Sequence, residues 1–129
     1  MVGEASLALR YVFQPGLSMN LSCDCRNLQI TAPMPASVTR CNCGICRRYQ
    51  ALWGYYHPDD VDVVIGISGS TLYQRGDREI EFVRCSECGC VTHYQTLPND
   101  PDPLLAVNFC MAEKPIDDVP IRYADNASS

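Results

Sequence analysis

Apolar and polar positions alternate along much of this chain with a period of two. Leu7, Leu9, Tyr11 and Phe13 stand between small or polar residues, the pattern of a half-buried strand. Leu28 and Ile30 resume the alternation. Ala32-Pro33-Met34-Pro35 predicts a break and a turn, because proline brings no N–H to a ladder. Ser37 to Arg40 predicts a short strand, and Gly44 a tight turn into one or two helical turns from Ile45 to Gln50. Leu52, Trp53, Tyr55 and Tyr56 favour a strand, in which Tyr55 and Tyr56 face opposite sides. His57-Pro58-Asp59-Asp60 predicts a turn and Val61 to Ile67 a strand. Thr71 to Tyr73 and Ile80 to Val83 flank Arg75-Gly76-Asp77-Arg78 as a hairpin. Val91 to Thr96 is the next strand, Leu97 to Pro103 a loop, Leu104 to Phe109 the closing strand, and Asp125 to Ser129 a fraying tail. With no long amphipathic helical period and no internal repeat, the predicted class is mainly β. The sheets are expected to be antiparallel, with at most one or two short helical turns.

Composition narrows this only a little. A chain of 129 residues, residues 1–129, is expected to form a single domain with one core. The formal net charge of −5 repels phosphate backbones, so nucleic acid is not an expected partner. No basic start followed by an apolar run is visible, and no apolar stretch approaches the ~20 residues of a membrane span. A soluble cytoplasmic protein is expected, with no membrane partner. The oligomeric state is open.

The cysteines change the picture. Seven of the nine fall in three clusters: Cys23-x-Cys25, Cys41-x-Cys43-x-x-Cys46 and Cys85-x-x-Cys88. In a reducing compartment such spacing points to metal rather than disulfides. In a strand, Cys23 and Cys25 point to one face, and Cys85-x-x-Cys88 followed by Gly89 has the form of a zinc knuckle. Joined, the two pairs make a closed tetrathiolate site that ties an early strand to a late one. Structural zinc of this kind contributes on the order of 10 kcal/mol of folding free energy. Cys41, Cys43 and Cys46 then remain as three donors around a second zinc with one open position, the arrangement of a catalytic site. A rival pairing joins Cys43-x-x-Cys46 to Cys85-x-x-Cys88 and leaves Cys41, Cys23 and Cys25 without an obvious partner set. Cys90 and Cys110 stand apart and are expected to be buried as small apolar residues, although Cys90 could swap into a site.

Three thiolates on zinc leave the site net negative and the metal a weak Lewis acid, so hydroxide-driven hydrolysis is disfavoured. A thiol substrate suits it better, because zinc binds sulfur well and holds it as the thiolate. Such a thiolate can attack a small aldehyde. Arg47 and Arg48 follow the trio and can balance charge or grip a substrate carboxylate; the alternative is that they are solvated surface arginines. His57 and His93 carry no ligand spacing, and a structural or exposed role is expected of each. A non-catalytic zinc module that binds a protein partner is the alternative reading. It requires the fourth position to be blocked, by His93 or Cys90 for example.

Ser22-Cys23-Asp24-Cys25, Cys41-Asn42-Cys43-Gly44-Ile45-Cys46-Arg47-Arg48 and Cys85-Ser86-Glu87-Cys88-Gly89-Cys90 together resemble the family of glutathione-dependent formaldehyde-activating enzymes and centromere-protein-V-like proteins. Gly76 to Ile80 and Val107-Asn108 add to the likeness, which covers about Met19 to Tyr123. The resemblance implies a β-tent-like fold with two zinc ions per chain. Cys23, Cys25, Cys85 and Cys88 would surround the structural ion, and Cys41, Cys43 and Cys46 the open one. It also implies a carbon–sulfur lyase activity that forms or breaks the adduct of glutathione with formaldehyde.

Overall fold

The computed structural model describes residues 13–75 and 79–127. Ten strands appear among them: β1 (Phe13–Ser22), β2 (Leu28–Pro35), β3 (Val38–Cys41), β4 (Trp53–Tyr56), β5 (Asp62–Ile65), β6 (Ser70–Gln74), β7 (Ile80–Cys85), β8 (Val91–Thr96), β9 (Leu105–Asn108) and β10 (Ile121–Ala124). One short helix among the described residues, α1 (Gly44–Tyr49), follows β3, and 3-10 turns cover Pro58–Asp60 and Phe109–Met111. The fold is mainly β, as the alternation predicts. The strand expected through Leu7, Leu9 and Tyr11 lies outside the described residues, apart from Phe13, which opens β1.

The strands form a three-stranded sheet, β1-β2-β5, and a seven-stranded sheet, β10-β3-β4-β9-β8-β7-β6. Every strand pairing is antiparallel except β10 on β3, which is parallel and corrects the all-antiparallel expectation. Three other details depart from the sequence pattern. Ala32-Pro33-Met34-Pro35 is the end of β2, not a turn. Its partner β5 stops at Thr31, so the proline stretch has β1 on one flank and an open edge on the other, where strands tolerate a missing N–H. β9 does not close the sheet but lies inside it, between β4 and β8. The edge is taken by β10, four mostly exposed residues, too short a run to stand out in the sequence.

The main core lies between the two sheets. Met19 and Leu21 of β1 and Ile30 and Ala32 of β2 pack with Val38, Tyr56, Leu105, Val107 and Phe109. Gly54 is required here, because a Cβ on it would come within 2.5 Å of the Phe109 ring. The opposite face of the large sheet carries a second cluster: Trp53, Phe82, Ala51 and Ala106, packed with Cys43 and Cys46. Period-two geometry sorts β4 between the two. Tyr56 enters the inter-sheet core and Tyr55 packs on the cysteine side, as alternation requires. A third small cluster holds Cys23, Leu28, Val83 and Cys85, with Cys88 and Cys90 against it.

Candidate metal centres

Two separate groups of sulfurs emerge, and both could hold a metal ion. Cys23, Cys25, Cys85 and Cys88 place all their Sγ atoms within 4.8 Å of one another, and so do Cys41, Cys43 and Cys46. The rival pairing of Cys43 and Cys46 with Cys85 and Cys88 is not the one the fold builds.

The four-sulfur group joins two distant segments. After β1 the chain turns back through Arg26, which takes a left-handed φ of 66°. Arg26 N–H donates to the Cys23 carbonyl, and Cys23 N–H to the Leu28 carbonyl. That turn aims Cys23 and Cys25 at the knuckle between β7 and β8. In the knuckle, Gly89 at φ 80° lets its N–H reach the Cys85 carbonyl, while Cys85 N–H donates to the Cys90 carbonyl. Cys23 and Cys25 sulfurs lie 3.7 Å apart, and Cys25 and Cys85 sulfurs 3.5 Å apart. A tetrahedral zinc with Zn–S bonds of about 2.3 Å would set its sulfurs roughly 3.8 Å apart, so the donor set fits. These separations are far beyond a disulfide bond, and all nine cysteines are free.

The three-sulfur group comes from one continuous stretch. Cys41 ends β3, and Cys43 caps α1 with its sulfur accepting the Cys46 N–H. Cys43 N–H in turn donates to Cys41 Sγ at 3.5 Å. Trp53, completely buried, donates its indole N–H to Cys46 Sγ at 3.3 Å. Asn126 just beyond β10 donates from Nδ2 to Cys41 Sγ at 3.4 Å. No fourth histidine, cysteine, aspartate or glutamate joins this group among the described residues.

Every one of the seven sulfurs receives an N–H donor. Besides those named, Leu28 N–H donates to Cys23, and the N–H groups of Glu87 and Cys88 donate to Cys85, joined by the Asn27 side chain. Asn27 backbone serves Cys25, and the N–H groups of Cys90 and Cys25 serve Cys88. Donors of this kind stabilise thiolate over thiol. Burial pushes the Cys88 thiol up, but those N–H groups outweigh it and bring the thiol down to about 6. Burial likewise opposes and the Cys46 and Ile45 N–H groups favour a lowered Cys43. Cys46 goes the other way: burial, then the charge on Cys43, pushes it up to about 12. In each group, then, sulfurs crowd closely enough to hinder one another's ionisation, a strain that a cation among them relieves.

Cations gather around the trio of an otherwise acidic chain. Arg75, from the β6–β7 hairpin, sets Nη1 4.0 Å from Cys43 Sγ. Arg48 bends back to donate to the Gly44 carbonyl at 2.6 Å. Both guanidinium groups sit where a Gly44 side chain would project, Arg75 Nη2 3.0 Å and Arg48 Nη1 3.5 Å away. On the other side, a cavity of about 210 Å³ beside Cys41 is lined by Arg40, Arg47, Gln50, Tyr123 and Asp125 among others. Arg47 and Arg48, which the sequence places next to the trio, thus part: Arg47 reaches the cavity and Arg48 the helix start. Arg75, Trp53 and Asn126 were not anticipated as neighbours of the trio. No local spacing could reveal them, since pairing across strands brings them in.

The remaining candidates lie elsewhere. His93 is buried in β8 with Nδ1 2.8 Å from Thr92 Oγ1, and burial holds its pKa down to about 4. His57 caps the Pro58–Asp60 turn, its Nδ1 accepting the Asp59 N–H. Cys90 is half-buried beside the four-sulfur group, and Cys110 is exposed, which corrects the expectation that both are buried. The 3-10 turn of Phe109–Met111 sends Phe109 inward and leaves Cys110 outside. No helix among the described residues is long and apolar enough to cross a membrane.

Comparison with known proteins agrees with the geometry. The family described as glutathione-dependent formaldehyde-activating enzyme matches residues 18–122. A crystal structure of a Rhodobacter sphaeroides protein, solved as a structural-genomics target, superposes with a TM-score of 0.66 at 32% identity. The alignment covers 81% of this chain and 100% of that one. A search of curated proteins found no match.

Proposed function

Since the chain belongs to the glutathione-dependent formaldehyde-activating enzyme family, we propose that it is a zinc-dependent, carbon–sulfur lyase-type enzyme. It would form or break the adduct of a small, glutathione-like thiol with a small aldehyde such as formaldehyde. Cys23, Cys25, Cys85 and Cys88 would hold a structural zinc, and Cys41, Cys43 and Cys46 a second. Zinc at the second place would supply a coordination position for a fourth sulfur and keep that sulfur ionised at neutral pH.

The observation that carries this reading is a trio of converging sulfurs with no fourth such donor among the described residues, ringed by arginines. Arg75 and Arg48 offset the negative charge of the sulfurs from the hairpin side. Arg40 and Arg47 face the cavity where the body of a thiol would lie, and suit a carboxylate. Asp125 in the same cavity suits an ammonium group. Burial, followed by the negative Cys41 and Cys46 sulfurs among its causes, raises the Tyr55 phenol above its usual pKa, so it stays neutral beside the trio. The addition itself conserves all atoms: a carbon–sulfur bond forms, and the thiol proton ends on the former carbonyl oxygen.

The test is binding and turnover on one preparation. Cobalt-loaded protein should show two thiolate-coordinated ions, and only one spectrum should change on adding glutathione. Arg47→Ala should weaken that change about tenfold, the scale of one charge-assisted contact, with the melting temperature unaltered. Two ions whose spectra ignore every thiol offered would instead favour a non-catalytic zinc module.

A further inference from the structure

The four-sulfur group has a fifth sulfur beside it. Cys90 lies two residues past Cys88 and packs on the same small cluster as Cys23 and Cys85. Its carbonyl accepts the Cys85 N–H, which fixes its backbone beside the knuckle. Cys90 thus stands among the segments that carry the four sulfurs. The ninth cysteine provides the contrast. Cys110 Sγ meets the Gln50 carbonyl at 3.3 Å, where it can only donate its S–H, the bond of an ordinary thiol. Among the four, Cys25 is the exposed member, while Cys23 and Cys85 are buried. An open cleft lined by Cys23, Asp24, Cys90 and Cys110 reaches this side of the group.

We propose that Cys90 is a reserve ligand of the closed site, able to replace Cys25 around the same ion. The exchange needs the Cys90 side chain to turn inward, since its sulfur stands outside the four that converge. Both ligand-bearing segments are at hand: Cys90 packs on the cluster of Cys23 and Cys85 and lines one cleft with Cys23 and Asp24. Losing Cys25 would leave Cys23, Cys85 and Cys88 in place, with Cys90 closing the tetrahedron. The site would then keep four sulfurs when its most accessible one is blocked. This rests on the reading that the four-sulfur group binds zinc, and the test separates the two.

Three variants decide it, each purified with zinc and assayed for metal content and thermal melting. Cys25→Ser should retain the closed-site ion and melt within a few degrees of the parent. Cys90→Ser should do the same. The double variant Cys25→Ser/Cys90→Ser should lose one ion and melt far lower or not fold. Cys25→Ser that loses the ion or fails to fold, whatever stands at position 90, overturns the proposal. Cys85→Ser serves as the control for the underlying reading: it should lose the ion in every background. If it loses none, the closed site is not where zinc binds.

Discussion

The two cysteine groups use the same chemistry with opposite architecture. The four-sulfur group draws its members from positions 60 apart and ties the start of the three-stranded sheet to the knuckle of the large one. Its own apolar cluster is small, with Leu28 and Val83 as the only non-cysteine members that are buried. The trio comes from one short stretch and rests on a broad aromatic floor. Trp53 and Tyr94 meet edge to face with centroids 4.7 Å apart, and Phe82 packs on Tyr94 at 5.3 Å and on Tyr49 at 5.5 Å. Where packing is thin, an ion has a fold to hold. Where packing is already sufficient, an ion is free to serve something else. The contrast is what the proposed reading requires of a structural centre beside a functional one.

The strongest way to break that comparison is to remove one ligand from each side. Cys85→Ser should cost most of the folding free energy, on the order of the 10 kcal/mol that structural zinc supplies. Cys85 is fully buried, and its sulfur accepts N–H donors from Glu87 and Cys88 that serine's smaller oxygen would hold differently. Cys43→Ser should lose one ion yet melt cooperatively within several degrees of the parent, because serine also caps α1 well. Metal counts and circular-dichroism melts on both variants settle it. Equal losses of stability would show that the trio, too, is structural.

Acid provides a second, smaller lever, since metal held by either group would be bound by thiolates and released on protonation. The scaffold's own sensitivity has to be known first, and His93 supplies it. Burial holds its folded pKa at about 4, below the ordinary 6.5 of a histidine, so the unfolded chain binds the extra proton between those values. Stability from neutral His93 is therefore complete above pH 6.5 and falls as pH drops toward 4. The full loss is roughly 3 kcal/mol. Denaturant unfolding at pH 7 and at pH 4.5 should show the parent losing roughly 2 kcal/mol more unfolding free energy than His93→Gln over that interval. Comparing zinc-loaded with chelator-treated His93→Gln then isolates what the metal centres add.

Much of this was legible in the residues alone. The strands with period-two alternation, the Thr71–Val83 hairpin pairing and the grouping of the seven cysteines all follow from local spacing, which backbone geometry reads directly. What escaped depends on contacts across sheets. β10 is short and mostly exposed, and its parallel ladder to β3 makes it a strand: Val38 N–H donates to the Pro120 carbonyl and Asn42 N–H to the Ala124 carbonyl. Pro33 and Pro35 signal a break, yet they sit on a strand whose neighbour ends early. Arg75 reaches the trio because the end of β6 lies beside the start of α1, and Trp53 because β4 runs beneath it. The clustering of the cysteines is a property of spacing, whereas the groups that surround them are a property of topology.

Asn126 makes that last point testable at the smallest scale. It is exposed, lies past the final strand, and touches the trio only through Nδ2 on Cys41 Sγ, while its N–H donates to Asn42 Oδ1 at 2.6 Å. The Asn42 side chain in turn donates to Asp125 at 3.0 Å, so this short lock holds the tail against the loop after Cys41. Groups that hydrogen-bond a metal ligand typically alter affinity 10–100-fold when removed. Because this one is open to solvent, which can replace its hydrogen bond, Asn126→Ala should weaken the second ion by about tenfold, the lower end of that range. Asn126→Asp should weaken it further, since a carboxylate beside a thiolate adds repulsion where the amide gave an N–H. Neither change should alter the closed site, whose nearest ligands belong to other strands, nor shift the melting temperature by more than a degree or two. Competition with a chromophoric chelator resolves the two ions by affinity. If both variants leave the weaker one unmoved, the tail is only a neighbour of the trio, and its tuning is confined to Trp53 and the helix start.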